Sequence, residues 1–146
     1  MKQRIYPIKS SAMHYKVLYE GDLRTEATHL ASGSQILTDA PIDNQGQGRY
    51  FSPTDLASVS LASCMMTILG ITVREHALAV ESMEATVTKT MASNPRRISG
   101  IKIHLRIHAL DLEERKKLIL ETAARTCPVA LSLHPEINQD ISFEYV

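Results

Sequence analysis

Two cysteines, Cys64 and Cys127, are the residues of this sequence best suited to covalent chemistry. Their separation matches neither a metal-knuckle spacing nor a C-x-x-C motif. Cys64 lies beside Met65 and Met66, where a free cysteine is most often a small hydrophobic core residue. Cys127 precedes Pro128 and can occupy the N-cap of a short helix, where backbone N–H groups and the helix dipole lower the pKa of a thiol. A structural cap is the alternative role there.

Other catalytic and metal-binding patterns give no support to a different chemistry. The sequence has no G-x-S-x-G, Walker A, dinucleotide-binding or H-E-x-x-H motif. His104 and His108 share one face of a predicted strand, but at about 3.3 Å per residue they lie about 13 Å apart, too far to hold one ion. We interpret all six histidines as solvated side chains and expect no metal site and no bound cofactor.

The composition is that of an ordinary globular protein, and residues 1–146 are expected to form a single domain with its own core. Hydrophobic residues make up 44% and charged residues 22% of the chain. Lys+Arg and Asp+Glu balance at 16 each, so no net field attracts nucleic acid or an anionic membrane. Because the first residues lack the apolar stretch of a secretory signal, we expect a cytoplasmic protein without a structural disulfide framework.

The element that must position Cys64 is a helix beginning near Ser52. Ser52 is a favoured N-cap, Pro53 fits the first helical position, and Asp55 can close a capping box. Across 56–73 apolar residues fall on nearly every side, which predicts a long buried central helix. A membrane span needs about 20 predominantly apolar residues and is disfavoured by the serines and threonines that interrupt this segment.

Before this helix the pattern predicts an antiparallel β-meander of three short strands, at 14–19, 23–30 and 35–38. Gly21 and Asp22 supply turn chemistry between the first two. Arg24 falls on the second strand, where a solvated side chain is the ordinary interpretation. A loop rich in Pro, Gly, Asp and Asn follows at 39–49, and loops of this kind often border functional sites.

After the helix the sequence predicts further strands and two further helices, so the fold class is α+β. The strands are expected at 80–91, 101–109 and 141–146, and the helices at 112–125 and 128–133. The strand at 101–109 is the clearest, since apolar residues alternate with charged residues and histidines. Asp111 is the expected cap of the first of these helices, and Cys127 the expected N-cap of the second.

Three segments together resemble the OsmC/Ohr family of osmotically inducible and organic hydroperoxide resistance proteins. They are G-D-L-R at 21–24, F-S-P-T-D-L…A-S-C at 51–64, and T-C-P-V-A at 126–130. The resemblance covers nearly the whole chain, and its most specific part is a cysteine on a buried helix followed later by Cys-Pro. It implies an OsmC-like α+β fold in which two chains intertwine as a homodimer, with active sites at the dimer interface.

The resemblance also implies thiol peroxidase chemistry in defence against oxidative stress. Cys64 would be the peroxidatic cysteine that reduces an organic hydroperoxide to an alcohol. Cys127 would resolve the product as a disulfide, which an external dithiol reductant reopens. Arg24 matches the family's active-site arginine, whose charge favours a thiolate that an apolar pocket disfavours. The implied partners are a hydroperoxide, a dithiol reductant and a second copy of the chain.

One position departs from the family pattern. The better-known peroxidases carry a glutamate that orients the arginine at the position of Thr54, and the adjacent Asp55 is turned about 100° away around the helix. This departure motivates a second hypothesis, a non-catalytic dimer that binds a small apolar molecule or senses thiol oxidation. A structural protein with two core cysteines is a third.

Overall fold

Three antiparallel strands form the first part of the computed structural model, which describes residues 14–146. They are β1 (Tyr15–Gly21), β2 (Arg24–His29) and β3 (Gln35–Asp39), paired in the order β1-β2-β3. Asp22 and Leu23, with φ of 49° and 61°, form the turn between β1 and β2, in the left-handed conformation that suits strand twist in tight hairpins. The predicted meander is confirmed. These strands belong to a compact unit that ends at Pro53, and a second unit comprises Thr54–Val146.

The predicted central helix is α1 (Pro53–Glu75), which starts at the expected proline, directly after the buried Ser52. Leu61, Met65 and Leu69 recur every four residues and are completely buried. This stripe is the helix face that packs into the core, and each such side chain contributes roughly 1.5–3 kcal/mol of burial free energy.

Hydroxyl residues on α1 are accommodated by hydrogen bonds within the helix. Ser58 and Thr72 are buried, and their hydroxyls donate to the carbonyl oxygens of Thr54 and Ile68, each over 2.9 Å. Because these hydroxyls bond to the turn that precedes them, burying them leaves no unpaired polar group.

In the part of the chain that the structure describes, α1 is the one helix long and apolar enough to cross a membrane, judged by length and composition, with a mean hydropathy of 1.9. Its buried stripe instead shares one hydrophobic core with a β-sheet and the later helices. That packing is the arrangement of a core helix.

The second sheet consists of β4 (Val80–Ser93), β5 (Arg96–Ala109) and β6 (Asn138–Tyr145), in the order β4-β5-β6. Strands β4 and β5 form an antiparallel hairpin, whereas β6 runs parallel to β5. The alternation predicted for β5 is confirmed, since one side of this central strand is at most 1% exposed, at Ile101, Ile103, Leu105 and Ile107.

On the other side of β5, polar side chains are paired with those of β6. The His104 ring bonds to Ser142 Oγ at 3.0 Å and to Glu144 Oε2 at 3.1 Å. The His104 side chain is 41% exposed, so it is solvated as predicted, and the parallel register in addition brings Ser142 and Glu144 beside it.

Helices α2 (Glu114–Arg125) and α3 (Pro128–Ser132) complete the predicted α+β fold. The predicted cap of α2 was wrong: Glu113 is the N-cap, and its carbonyl accepts the backbone N–H groups of Lys116 and Lys117. Asp111 has a left-handed φ of 54° and belongs to the turn after β5, so helical hydrogen bonding starts later than expected. The apolar stripe of α2 is confirmed at the buried Leu120 and Ala124.

Candidate active site

Cys64 lies in the middle of α1 and is half-buried. It is a free thiol that packs against the hydrophobic core, one residue before the completely buried Met65. Its place at the margin of the buried stripe leaves part of the side chain accessible. A thiol in this position combines an apolar setting with partial exposure.

Cys127 is the N-cap of α3, as predicted. Its residue is 1% exposed, and its Sγ accepts a hydrogen bond from the Ala130 backbone N–H at 3.5 Å. Pro128 takes the first helical position, where the absence of an N–H costs nothing. The Cys-Pro pair therefore fixes both the start of α3 and the position of the sulfur.

The two cysteines meet in the core of the second unit. The two side chains are neighbours, since Cys64 is among the groups that raise the pKa of the Cys127 thiol, and both are free cysteines. The fold of Thr54–Val146 thus brings together two residues that are far apart in the sequence. Two neighbouring free thiols can interconvert between a dithiol and a disulfide.

The acidity predicted for Cys127 was wrong in direction. Burial raises the pKa of its thiol above the ordinary value of 9.0, and the neighbouring Cys64 side chain adds to that rise. The backbone N–H groups of Ala130 and Val129 do lower it, as expected for an N-cap, but desolvation of a buried thiolate outweighs them. Cys127 therefore keeps its proton at neutral pH.

Arg24, the third predicted site residue, lies on β2 in the first unit, where it is paired with Asp39. Arg24 Nε donates to Asp39 Oδ1 over 2.7 Å, and Nη2 donates to Oδ2 over 2.9 Å. The two residues are direct cross-strand partners of β2 and β3. Their side chains are 27% and 1% exposed, so the solvated interpretation of Arg24 does not hold.

The loop after β3 supplies a third hydrogen bond to Asp39. The Arg49 backbone N–H donates to Asp39 Oδ2 at 2.9 Å. The loop folds back on Ala40, whose carbonyl accepts the N–H of Gly48, and a β-carbon at Gly46 would collide with the same carbonyl. The tight approach of Gly46 is therefore part of what places the Arg49 amide.

Charge and an aromatic ring complete the surroundings of Arg24. Its guanidinium carbon lies 4.9 Å from the centre of the Tyr50 ring, a cation–π distance. The side-chain hydrogen bonds between the partners hold the pKa of the Asp39 carboxyl below its usual value and raise the pKa of Arg24. The pair is therefore ionised throughout the physiological pH range.

Lys89 of β4 binds the first turn of α1. Its Nζ donates to Thr54 Oγ1 and to Asp55 Oδ1, each over 2.7 Å. The Asp55 carboxylate, the expected capping-box partner, thus also pairs with a lysine of β4. This contact connects the start of α1 to β4, an edge strand of the second sheet.

An open groove of about 690 Å³ lies between α1 and β4 in the second unit. Its lining is mostly apolar and comprises Val59, Ala62, Ser63, Met66, Thr67, Met83, Ala85 and Val87. Val59 is 37% exposed. Within the second unit, part of the side of α1 next to the Cys64 turn is therefore open.

The structure brings together two of the three predicted site residues, Cys64 and Cys127, and places Arg24 in an ion pair that the sequence did not reveal. The contribution of Asp39 was missed because an aspartate at the start of a loop has an ordinary turn role. Over residues 14–146, no three His, Cys, Asp or Glu side chains are arranged to hold a metal ion.

Comparisons with known proteins agree with this architecture. Residues 46–142 match the family model described as OsmC-like protein. A candidate osmotic stress induced and detoxification response protein from Psychrobacter arcticus 273-4 is 46% identical, covers 94% of this chain and 100% of its own, and superposes with a TM-score of 0.84.

More distant structures share the fold. The OsmC-like protein of Mycoplasma pneumoniae is 17% identical with a TM-score of 0.77, covering 94% of this chain and 99% of its own. The organic hydroperoxide resistance protein OhrB of Bacillus subtilis is 18% identical with a TM-score of 0.59, covering 90% and 98% respectively. No protein of curated function matches the sequence.

Proposed function

Because this chain belongs to the OsmC-like family, we propose that it is a thiol-dependent peroxidase that reduces organic hydroperoxides to alcohols. The observation that carries the proposal is that Cys64 and Cys127 are neighbours in one hydrophobic core. Some structural neighbours are named organic hydroperoxide resistance proteins, which supports the choice of substrate class.

Cys64 takes the part of the attacking thiol. Its thiolate attacks the terminal oxygen of the hydroperoxide, so an S–O bond forms as the O–O bond breaks. The sulfur is oxidised to a sulfenic acid, and the alkoxide takes up a proton and leaves as the alcohol. Cys64 suits this step because it is half-buried, whereas Cys127 is 1% exposed and retains its proton.

Cys127 takes the part of the resolving thiol. Its sulfur attacks the Cys64 sulfenic acid, an S–S bond forms, and the hydroxyl leaves as water together with the Cys127 proton. The proximity of the two cysteines in one core supports this step, because a disulfide requires Cα atoms within about 7 Å. An external dithiol reductant then exchanges with the disulfide and restores both thiols.

Arg24 takes the part of the active-site cation. A guanidinium carries a fixed charge and several N–H donors, so it can stabilise both a thiolate and the oxygen on which charge develops. The ion pair with Asp39 uses Nε and one N–H of Nη2, and the remaining donors on Nη1 and Nη2 form no other hydrogen bond within residues 14–146.

The proposed assembly is an intertwined homodimer. The groove between α1 and β4 is mostly apolar. One face of the meander also carries Tyr15, Val17, Tyr19 and Ile36, which are 49–67% exposed. Large exposed apolar surfaces of this kind are typical of interfaces, and a second copy of the chain would cover them.

A second candidate function rests on Thr54. The position that holds a glutamate in the better-known peroxidases carries a hydroxyl here, and that hydroxyl accepts a hydrogen bond from Lys89. A dimer with two contacting thiols but weak peroxidase chemistry would serve as a small-molecule-binding or redox-sensing module.

Turnover separates the two functions. Purified protein with dihydrolipoamide is expected to convert cumene hydroperoxide to cumyl alcohol catalytically. Cys64→Ser should abolish turnover, whereas Cys127→Ser should consume about one equivalent of peroxide and then stop. Thiol oxidation no faster than that of a free dithiol would favour the module, and turnover by Cys64→Ser would exclude the mechanism.

A further inference from the structure

Because Thr54 replaces a glutamate, another residue would have to supply the carboxylate partner of Arg24. An arginine side chain has about 2 kcal/mol of rotamer entropy, so a guanidinium that must meet a reacting oxygen needs an anchor. Thr54 has no carboxylate, and its hydroxyl is engaged by Lys89 at 2.7 Å. The anchor must come from another residue.

Asp39 has the geometry of such an anchor. It binds Arg24 through both carboxylate oxygens, at 2.7 Å and 2.9 Å, a fork that fixes the plane of the guanidinium. The carboxylate itself is held by the Arg49 backbone N–H at 2.9 Å and is 1% exposed. Neither partner can move without breaking several charge-assisted hydrogen bonds.

The contacts of Arg24 also decide which of its donors stay available. Asp39 occupies the edge formed by Nε and Nη2, and the Tyr50 ring lies 4.9 Å from the guanidinium carbon. The edge that carries Nη1 remains, and the side chain is 27% exposed. Asp39 takes two of the five guanidinium N–H groups, so the fork presents the remaining three in defined directions.

We infer that Asp39 is the positioning residue that orients Arg24 for reaction with the peroxide, in place of the glutamate missing at position 54. Asp39 does not touch the substrate and acts only through Arg24. The inference rests on the proposed function, because Arg24 must first be the cation that serves Cys64.

The test compares Asp39→Asn with Glu26→Gln. Glu26 is also on β2, and its carboxylate accepts a hydrogen bond from Gln35 instead of binding Arg24. Two quantities are measured for each reduced protein: the second-order rate constant of oxidation by cumene hydroperoxide, and the pH midpoint of Cys64 alkylation by iodoacetamide, followed by peptide mass. Denaturant unfolding of both variants reports any structural cost separately.

In Asp39→Asn the Arg24 guanidinium should lose its fixed orientation, and the oxidation rate constant should fall about 100-fold. A misplacement of a reacting group by about 1 Å has an effect of this size. The alkylation midpoint should rise, because the cation leaves the thiolate. The direction of the change in the alkylation midpoint distinguishes two cases. If Asp39→Asn only removed a negative charge and left Arg24 in place, the midpoint would fall instead of rising. Glu26→Gln should stay within about twofold of wild type, in line with the small effects of exposed charge changes.

Should Asp39→Asn fail to fold, Asp39→Glu keeps the charge but moves the carboxylate by one methylene, and a smaller rate loss with a raised midpoint is expected. Rates and midpoints equal to those of Glu26→Gln would overturn the inference while leaving the proposed function intact. A wild-type protein that does not react with the hydroperoxide would overturn both.

Discussion

The Cys127 thiol lies next to the side chain of Cys64, which brings the N-cap of α3 beside the middle of α1. Two independent features create this contact: the buried stripe that orients α1, and the Pro128 that starts α3 directly after Cys127. Both cysteines lie in the second unit, whereas Arg24 lies in the first. The chemistry of the cysteine pair can therefore be tested independently of Arg24.

Oxidation of the reduced protein by one equivalent of cumene hydroperoxide is expected to form a Cys64–Cys127 disulfide without any denaturant. The two thiols are neighbours within one unit, so the bond should form within one chain. Peptide mapping under non-reducing conditions checks the linkage, and Cys127→Ser should instead yield a sulfenic acid that dimedone traps at Cys64. Disulfides between chains, or none, would contradict the expected pairing.

Alkaline pH is expected to destabilise the reduced protein through Cys127. Burial raises the pKa of this thiol in the folded state, so its contribution to stability is complete below the ordinary pKa of 9.0 and is lost as the pH rises through the folded value. Urea midpoints measured from pH 7 to pH 11 should fall less steeply for Cys127→Ala than for wild type.

Tyr145 is the internal reference in that experiment, since burial also raises the pKa of its phenol and its effect is present in both proteins. Identical pH profiles for wild type and Cys127→Ala would show that the Cys127 thiol is not held in its protonated form by the fold.

Charge placed in the groove between α1 and β4 is expected to dissociate the proposed homodimer. Val59 lines this groove and is 37% exposed in a single chain, so Val59→Asp would place a carboxylate against an apolar partner surface. Leu118→Asp is the matched control, because Leu118 is 65% exposed on α2 outside the groove. Sedimentation equilibrium should give a dimer for wild type and Leu118→Asp. A dimeric Val59→Asp, or a monomeric wild type, would exclude this groove as the interface.

Removing Lys89 is expected to cost about 1–2 kcal/mol of unfolding free energy, a magnitude typical of hydrogen bonds to charged groups. Lys89 is 19% exposed and binds both Thr54 and Asp55, so Lys89→Met removes two hydrogen bonds to the first turn of α1. Lys102→Met should change stability by less than about 0.5 kcal/mol, because Lys102 is 65% exposed and lies 3.9 Å from Asp140. Equal urea midpoints for the two variants would show that Lys89 does not hold the first turn of α1.

The sequence was sufficient to predict elements whose signal is local. Pro53 and Pro128 mark helix starts that the structure reproduces, and the alternation around Ile103 reports a strand with one buried face. Asp111 failed as a cap because its left-handed backbone belongs to the preceding turn, and backbone conformation at one residue is not encoded in apolar periodicity.

The site residues that were missed depend on contacts between distant segments. Asp39 binds Arg24 because β2 and β3 pair in one particular register, and the Arg49 amide reaches it only through the fold of the following loop. The direction of the Cys127 pKa shift was mispredicted. The Cys-Pro pair reveals the N-cap, which lowers the pKa, but it does not reveal the burial that raises the pKa by more.

The second-order rate constant for oxidation of reduced protein by cumene hydroperoxide, measured by rapid mixing beside hydrogen peroxide, tests the central claim most directly. We expect Cys64 to react with the organic peroxide on the order of 100-fold faster than a free thiol, the effect of one well-placed donor on developing negative charge. Hydrogen peroxide should react more slowly, and Cys64→Ser should not react. A wild-type rate no greater than that of a free thiol would contradict the assignment of Cys64 as a peroxidatic cysteine.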